Sequence, residues 1–120
     1  MPTILITGAS GGLAQEMVKL LPNDQLILLG RNKEKLAQLY GNYSHAELIE
    51  IDITDDSALE ALVTDLYLRY GKIDVLINNA GYGIFEGFDQ IADKDIHQMF
   101  EVNTFALMNL SRHLAARMKE

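Results

Sequence analysis

Cysteine is absent from this 120-residue chain, which excludes disulfides and every metal site that depends on a thiolate. Basic residues are scarce: Lys and Arg total 10 against 17 Asp and Glu, leaving a net charge of −7. A nucleic acid or an anionic membrane surface would need a basic face, so neither is expected as a partner. Long apolar runs are missing too, none reaching the ~20 residues that cross a bilayer. The opening Met1-Pro2-Thr3 passes at once into a strand-like run, so no signal peptide is expected and the protein reads as cytoplasmic. Repeats, low-complexity tracts and linkers are lacking, and no metal site is expected.

What remains is ordinary globular composition, 48% hydrophobic, in a length that suits one domain. A chain of this size buries roughly two-thirds of its unfolded surface. Pro2 to Thr7 carries Ile4-Leu5-Ile6 and breaks at Gly8, a buried strand followed by a turn. From Leu13 to Leu21 apolar residues recur at helical spacing, and Pro22-Asn23-Asp24 ends that helix. Leu26 to Leu29 reads as a second strand, followed by a helix from Lys33 to Tyr40 with Asn32 as its N-cap. Glu47 to Ile51 alternates as a more exposed strand would. Thr54-Asp55-Asp56 starts a helix that ends at Gly71, and Ile73 to Ile77 forms a fourth strand. A glycine-rich loop from Ala80 to Phe88 leads to a last helix over Asp93 to Met118.

Strands alternating with helices, most of those strands nearly all apolar, specify a parallel sheet covered on both faces. The expected fold is α/β: a Rossmann-like, doubly wound parallel sheet of four strands in order 3-2-1-4, with flanking helices. Its ligand crevice lies where the strand order reverses, at the C-terminal ends of strands one and four.

Thr7-Gly8-Ala9-Ser10-Gly11-Gly12-Leu13-Ala14 falls at that point, between the first strand and first helix. Glycine allows the sharp turn and the close approach of a phosphate, which the helix N-terminus then binds. Gly8, Gly12 and Ala14 fit a T-G-x-x-x-G-x-G spacing, and Gly8, Gly11 and Ala14 fit T-G-x-x-G-x-x-G/A equally well. The loop alone does not choose between them.

About 20 residues further on, dinucleotide folds read the adenosine ribose, with a carboxylate when the cofactor is NAD. This chain has Gly30-Arg31-Asn32 there. No carboxylate follows the second strand, and Arg31 can pair with a 2′-phosphate. Arg31, Lys33 and Lys35, offset by Glu34, would otherwise be a solvated helix start. Their position favours NADP, with Lys33 and Lys35 as general electrostatic support.

Four features in order resemble the short-chain dehydrogenase/reductase family, in its compact single-domain branch. They are the Thr7–Ala14 loop, Asp52-Ile53, Asn78-Asn79-Ala80-Gly81 and Val102-Asn103. The Asn-Asn-Ala-Gly run settles the loop spacing towards that branch. The resemblance implies a cofactor site built from Gly8, Ser10, Gly11, Gly12, Leu13, Arg31, Asn32, Asp52, Ile53, Asn79, Ala80 and Gly81. Asp52 would meet the adenine amino group, with a backbone contact from Ile53; it could also cap the next helix, and both roles could hold. Asn79 and Ala80 would meet the ribose, while Asn78 would tie adjacent strands. Asn103 corresponds to the Asn of the family's Asn-Ser-Tyr-Lys catalytic set.

The remaining catalytic residues have no counterpart. Tyr40, Tyr43, Tyr67, Tyr70 and Tyr82 all lack a Lys four positions later, and His45, His97 and His113 read as scattered surface residues. The expectation is therefore the N-terminal half of an NADP-dependent oxidoreductase, inactive alone. A non-catalytic NADP-binding or sensor module, or a truncated assembly piece, stays open. The fourth strand would present a bare edge, and Phe100, Phe105, Leu107 and Leu110 on the last helix could seek a partner, so self-association is expected.

Overall fold

Four apolar or β-branched residues in succession, Thr3 to Ile6, can be satisfied only where both sheet faces are covered, and all four are buried. The computed structural model describes residues 2–79 and 106–118. Its elements are β1 (Thr3–Ile6), α1 (Gly12–Lys19), β2 (Gln25–Gly30), α2 (Lys33–Tyr40), β3 (Ala46–Glu50), α3 (Asp56–Tyr70), β4 (Val75–Ile77) and α4 (Ala106–Met118). The strands are parallel and lie in the order β3-β2-β1-β4, as the alternation of elements predicts.

Side-chain alternation along the central strands divides the core in two. Leu5, Ile27 and Leu29 face Leu59, Val63 and Leu66 of α3 and Leu110 and Leu114 of α4. Ile4, Ile6, Leu26 and Leu28 face Ala14 and Val18 of α1 and Leu36 and Tyr40 of α2. Leu110, one of the residues that could seek a partner or simply cover the sheet, covers it and is wholly buried in the first of these layers. Phe100 and Phe105 lie outside the described residues.

The helix ends follow local chemistry. Asn32 Oδ1 accepts the Lys35 N–H at 3.1 Å, so α2 starts where its cap predicts. Asp55 Oδ1 accepts the Ala58 N–H at 3.1 Å and caps α3, and Gly71 ends that helix with φ +82°. The fourth strand is shorter than the apolar run suggests, beginning at Val75 and not Ile73. Ile73 points into the core, and the Asp74 carboxylate accepts the Thr3 N–H at 2.8 Å, so a side chain takes over one rung of the ladder.

At the outer strand, Glu47 receives both guanidinium nitrogens of Arg69 at 2.7 Å and the Tyr70 hydroxyl. This charged edge ties β3 to the end of α3. The hydrogen bonds from Arg69 hold the Glu47 carboxyl below the usual range, and burial together with Glu47 pushes Tyr70 up to about 12. On the far side, His113 Nε2 lies 2.9 Å from Asp56 Oδ1. His113 is thus a half-buried link between α4 and the start of α3, not the loose surface residue expected.

Two outcomes follow. Leu114→Ala, at a fully buried site, should cost about 2–5 kcal/mol in urea unfolding, while Met108→Ala, on the exposed side of α4, should stay within about 0.5 kcal/mol. Equal effects would mean that α4 does not dock as described. Stability should also fall with acid. Glu47, Asp52 and Asp74 all have lowered pKa values, so the unfolded chain binds protons more readily. Their contribution is present above the ordinary carboxylate range and lost below it, which unfolding curves between pH 6 and pH 3 would show.

Candidate functional site

β1 ends at the switch point, and the turn that follows is held from three directions. The Thr7 N–H donates to Ile77 O at 3.1 Å, aligning the ends of β1 and β4. Gly8 then adopts φ +61°, the left-handed region that a side chain would strain. The carbonyls from Gly8 to Gly11 are all engaged. Gly8 O accepts from the Gly11 N–H and from Asn79 Nδ2, at 3.1 and 3.2 Å. Ala9 O accepts from the Tyr40 hydroxyl at 2.5 Å, Ser10 O from Gln15 Nε2 at 3.4 Å, and Gly11 O from the Gln15 N–H at 3.1 Å.

The donors are left differently. α1 begins at Gly12 with no side-chain cap, so the amides of Gly12, Leu13 and Ala14 have no acceptor among the described residues. A Cβ on Gly12 would meet nothing within 4 Å. Acceptors are consumed and, among the described residues, donors are open: the turn is set to receive an anion. Leu13 shows its apolar side chain beside this opening, 66% exposed.

Tyr40 was not singled out as a site residue by sequence. It closes α2, 31 positions from Ala9, and is 3% exposed. Burial raises its pKa, so the phenol stays protonated and remains a donor. Only the long-range contact reveals it; a buried tyrosine at a helix end carries no sequence signal of what its hydroxyl meets.

At the end of β2, Arg31 is exposed, with no hydrogen bond or ion pair among the described residues. Its charge reaches Asp52, whose carboxyl is lowered first by bonds from Thr54 and last by Arg31. Asn32 spends its side-chain oxygen on capping α2. One expectation is corrected here. No carboxylate directly follows β2 in the chain, yet one stands at its end in space: Glu50, paired in register with Gly30, accepts the Lys33 N–H at 2.9 Å. It comes from β3, and Leu48 and Glu50 share the face that α2 covers, which a reading of the β2 end alone misses.

Asp52 does not cap α3; Asp55 does. Asp52 Oδ1 instead holds the turn after β3 by accepting from the N–H and hydroxyl of Thr54, at 3.0 and 2.6 Å. Ile53 is anchored in the core, which fixes the backbone at this rim. The expected tie between adjacent strands falls on a different asparagine. Asn79, not Asn78, ties the strand ends, through its N–H to Thr7 Oγ1 at 2.9 Å and its side chain to Gly8 O. Asn78 reaches Ser111 of α4 at 2.9 Å. Ala80, Gly81 and Asn103 lie outside the described residues.

A parallel sheet with a glycine turn and open helix amides at its switch point defines the dinucleotide-binding class of α/β proteins. A family model for short chain dehydrogenase matches residues 2–120, and the chain belongs to that family of oxidoreductases. The probable short-chain type dehydrogenase/reductase VdlC of Helicobacter pylori strain J99 is 32% identical over 103 residues, covering 86% of this chain and 38% of its own. The crystal structure of a short-chain dehydrogenase from Streptomyces avermitilis matches with TM-score 0.88 and 32% identity, over 98% of this chain and 44% of that one. ElxO, solved with NADP bound, shares the fold with TM-score 0.85 at 23% identity, over 98% and 50%. The chain spans 38–47% of the length of the curated relatives compared. Among the described residues, no helix is long and apolar enough to cross a membrane.

Tyr40→Phe should leave Ala9 O buried without a donor and cost about 1–3 kcal/mol. Tyr43→Phe, exposed and without a hydroxyl contact, is the control and should be neutral. Thermal or urea unfolding of the pair decides whether the loop depends on that phenol.

Proposed function

We propose that this chain is the NADP-binding portion of a compact-branch short-chain dehydrogenase/reductase, with residues 1–120 acting as one cofactor unit. The observation that carries this reading is the glycine turn, whose carbonyls are bonded inward while the first amides of α1 stay open. These amides, with Ser10, Gly11, Gly12 and Leu13, would hold the pyrophosphate, and Tyr40 would keep the Ala9 carbonyl turned away from it. Arg31 would meet the 2′-phosphate, which favours NADP over NAD, and Asn32 would flank it. Asp52 keeps one carboxylate oxygen free of hydrogen bonds for the adenine amino group, with Ile53 beside it. Asn79, Ala80 and Gly81 would line the ribose. The same fold carries NADP in ElxO.

NADPH supplies a hydride when bound, and in the family reaction it passes between cofactor and a carbonyl or alcohol. The proton for that step needs a tyrosine with a lysine four positions on, and this chain has none. Asn103 would be the one member of the Asn-Ser-Tyr-Lys set that this chain carries. The chain therefore binds cofactor without turning it over. A cytoplasmic location accompanies this reading.

β4 pairs with β1 alone among the described residues, and Val75 on it is 42% exposed. This edge supports self-association. Light scattering should show mass rising with concentration, and a monomer throughout would remove that part of the proposal.

Arg31→Ala should weaken NADPH by about 1.5–3 kcal/mol, the range for a hydrogen bond to a charged group, and leave NADH unchanged. Fluorescence titration of both nucleotides reads this directly. Equal loss for the two would remove the 2′-phosphate assignment, and binding of neither would remove the cofactor reading.

A further inference from the structure

Glu50 is the last residue of β3, yet its side chain reaches the β2–α2 junction. The register pairs Glu50 with Gly30, the residue just before Arg31. Ile51 N–H donates to Gly30 O at 2.9 Å, which locks the two strand ends together. From there the Glu50 carboxylate reaches the first amide of α2, Lys33 N–H, at 2.9 Å. Asn32 Oδ1 takes the Lys35 amide, so α2 already has two acceptors at its N-terminus, and one of them bears a full charge. A 2′-phosphate drawn to Arg31 would approach this same end of the helix. It would meet a fixed anion where an open helix end would offer donors.

We infer that Glu50 is a specificity-determining residue, a carboxylate supplied by β3 that restrains the preference for the 2′-phosphorylated cofactor set by Arg31. The inference rests on the NADP reading above and deepens it. Arg31 attracts the phosphate; Glu50 repels it and holds the Lys33 amide in its place. A ribose with a free 2′-hydroxyl carries no charge to repel, so NADH is unaffected by this opposition. The chain discriminates between the two nucleotides less sharply than Arg31 alone would dictate.

The test uses the 120-residue chain, with NADPH and NADH binding followed by nucleotide fluorescence and by thermal shift at low and high salt. Glu50→Gln keeps an oxygen for the Lys33 amide and removes only the charge, so the helix start survives. Removing a like charge near a protein surface should tighten NADPH roughly three- to thirty-fold. NADH should change less than about twofold, and the NADPH gain should shrink as salt screens it. Glu50→Lys should move NADPH further in the same direction. If NADPH is unchanged in both variants, or NADH tightens equally, while Arg31→Ala still weakens NADPH, the role of Glu50 is wrong and the NADP reading stands. If Arg31→Ala has no effect, or neither nucleotide binds, the reading fails and this inference with it.

Discussion

Burial of β1 on both faces and both edges is the constraint from which the rest of the structure follows. Its four residues are wholly or nearly wholly inside, with β2 hydrogen-bonded on one side and β4 on the other. A strand placed this way cannot be followed by a hairpin, because its neighbours are parallel and each must return through a helix. The chain leaving Ile6 therefore emerges where crossovers depart to opposite faces. α1 and α2 cover one side and α3 and α4 the other. At that exit backbone can be left unpaired without breaking the sheet. The candidate site occupies it for the same reason that the sheet is stable.

What makes the exit usable is the disposal of its carbonyls. An anion would be repelled by any carbonyl oxygen turned towards it, so a phosphate turn needs its acceptors occupied as much as it needs free donors. Here that work is spread over distant elements: Asn79 from the end of β4, Tyr40 from the end of α2, and Gln15 from within α1. Glycine at position 8 permits the turn, but these side chains decide which way its dipoles point. The loop is in this sense a tertiary structure, not a local motif.

This explains which parts could be read from the chain beforehand. The bounds of α2 and its Asn32 cap were legible because both depend on residues within one turn. The sheet order was legible because uninterrupted apolar strands separated by amphipathic helices leave few arrangements. Which of Asn78 and Asn79 ties the strand ends was not, since adjacent residues of the same type differ only in where the backbone points them. Glu50 escaped for a related reason. A rule that looks for an acid just after the second strand counts along the chain, whereas parallel pairing brings the end of the third strand to the same point. Tyr40 and His113 were likewise visible as residues but not as contacts, because their partners are 31 and 57 positions away.

The charge balance takes on a different meaning once the site is seen. A chain of net charge −7 is an unfavourable host for a nucleotide carrying several negative charges. Its long-range field slows the approach of such a ligand, and nothing in the composition compensates. On the proposed reading, attraction would come from groups that act within a few ångströms: three amides at a helix start and the guanidinium of Arg31, both without a partner among the described residues. Backbone dipoles suit this task because they add no net charge and stay aligned by the fold. The opposing Glu50 carboxylate acts over the same short range, so it can weigh on the 2′-phosphate while leaving the pyrophosphate turn, on the other side of β2, to its own donors. On the proposed reading, selectivity between two nucleotides that differ by one phosphate would be decided at one strand end, and overall affinity at another.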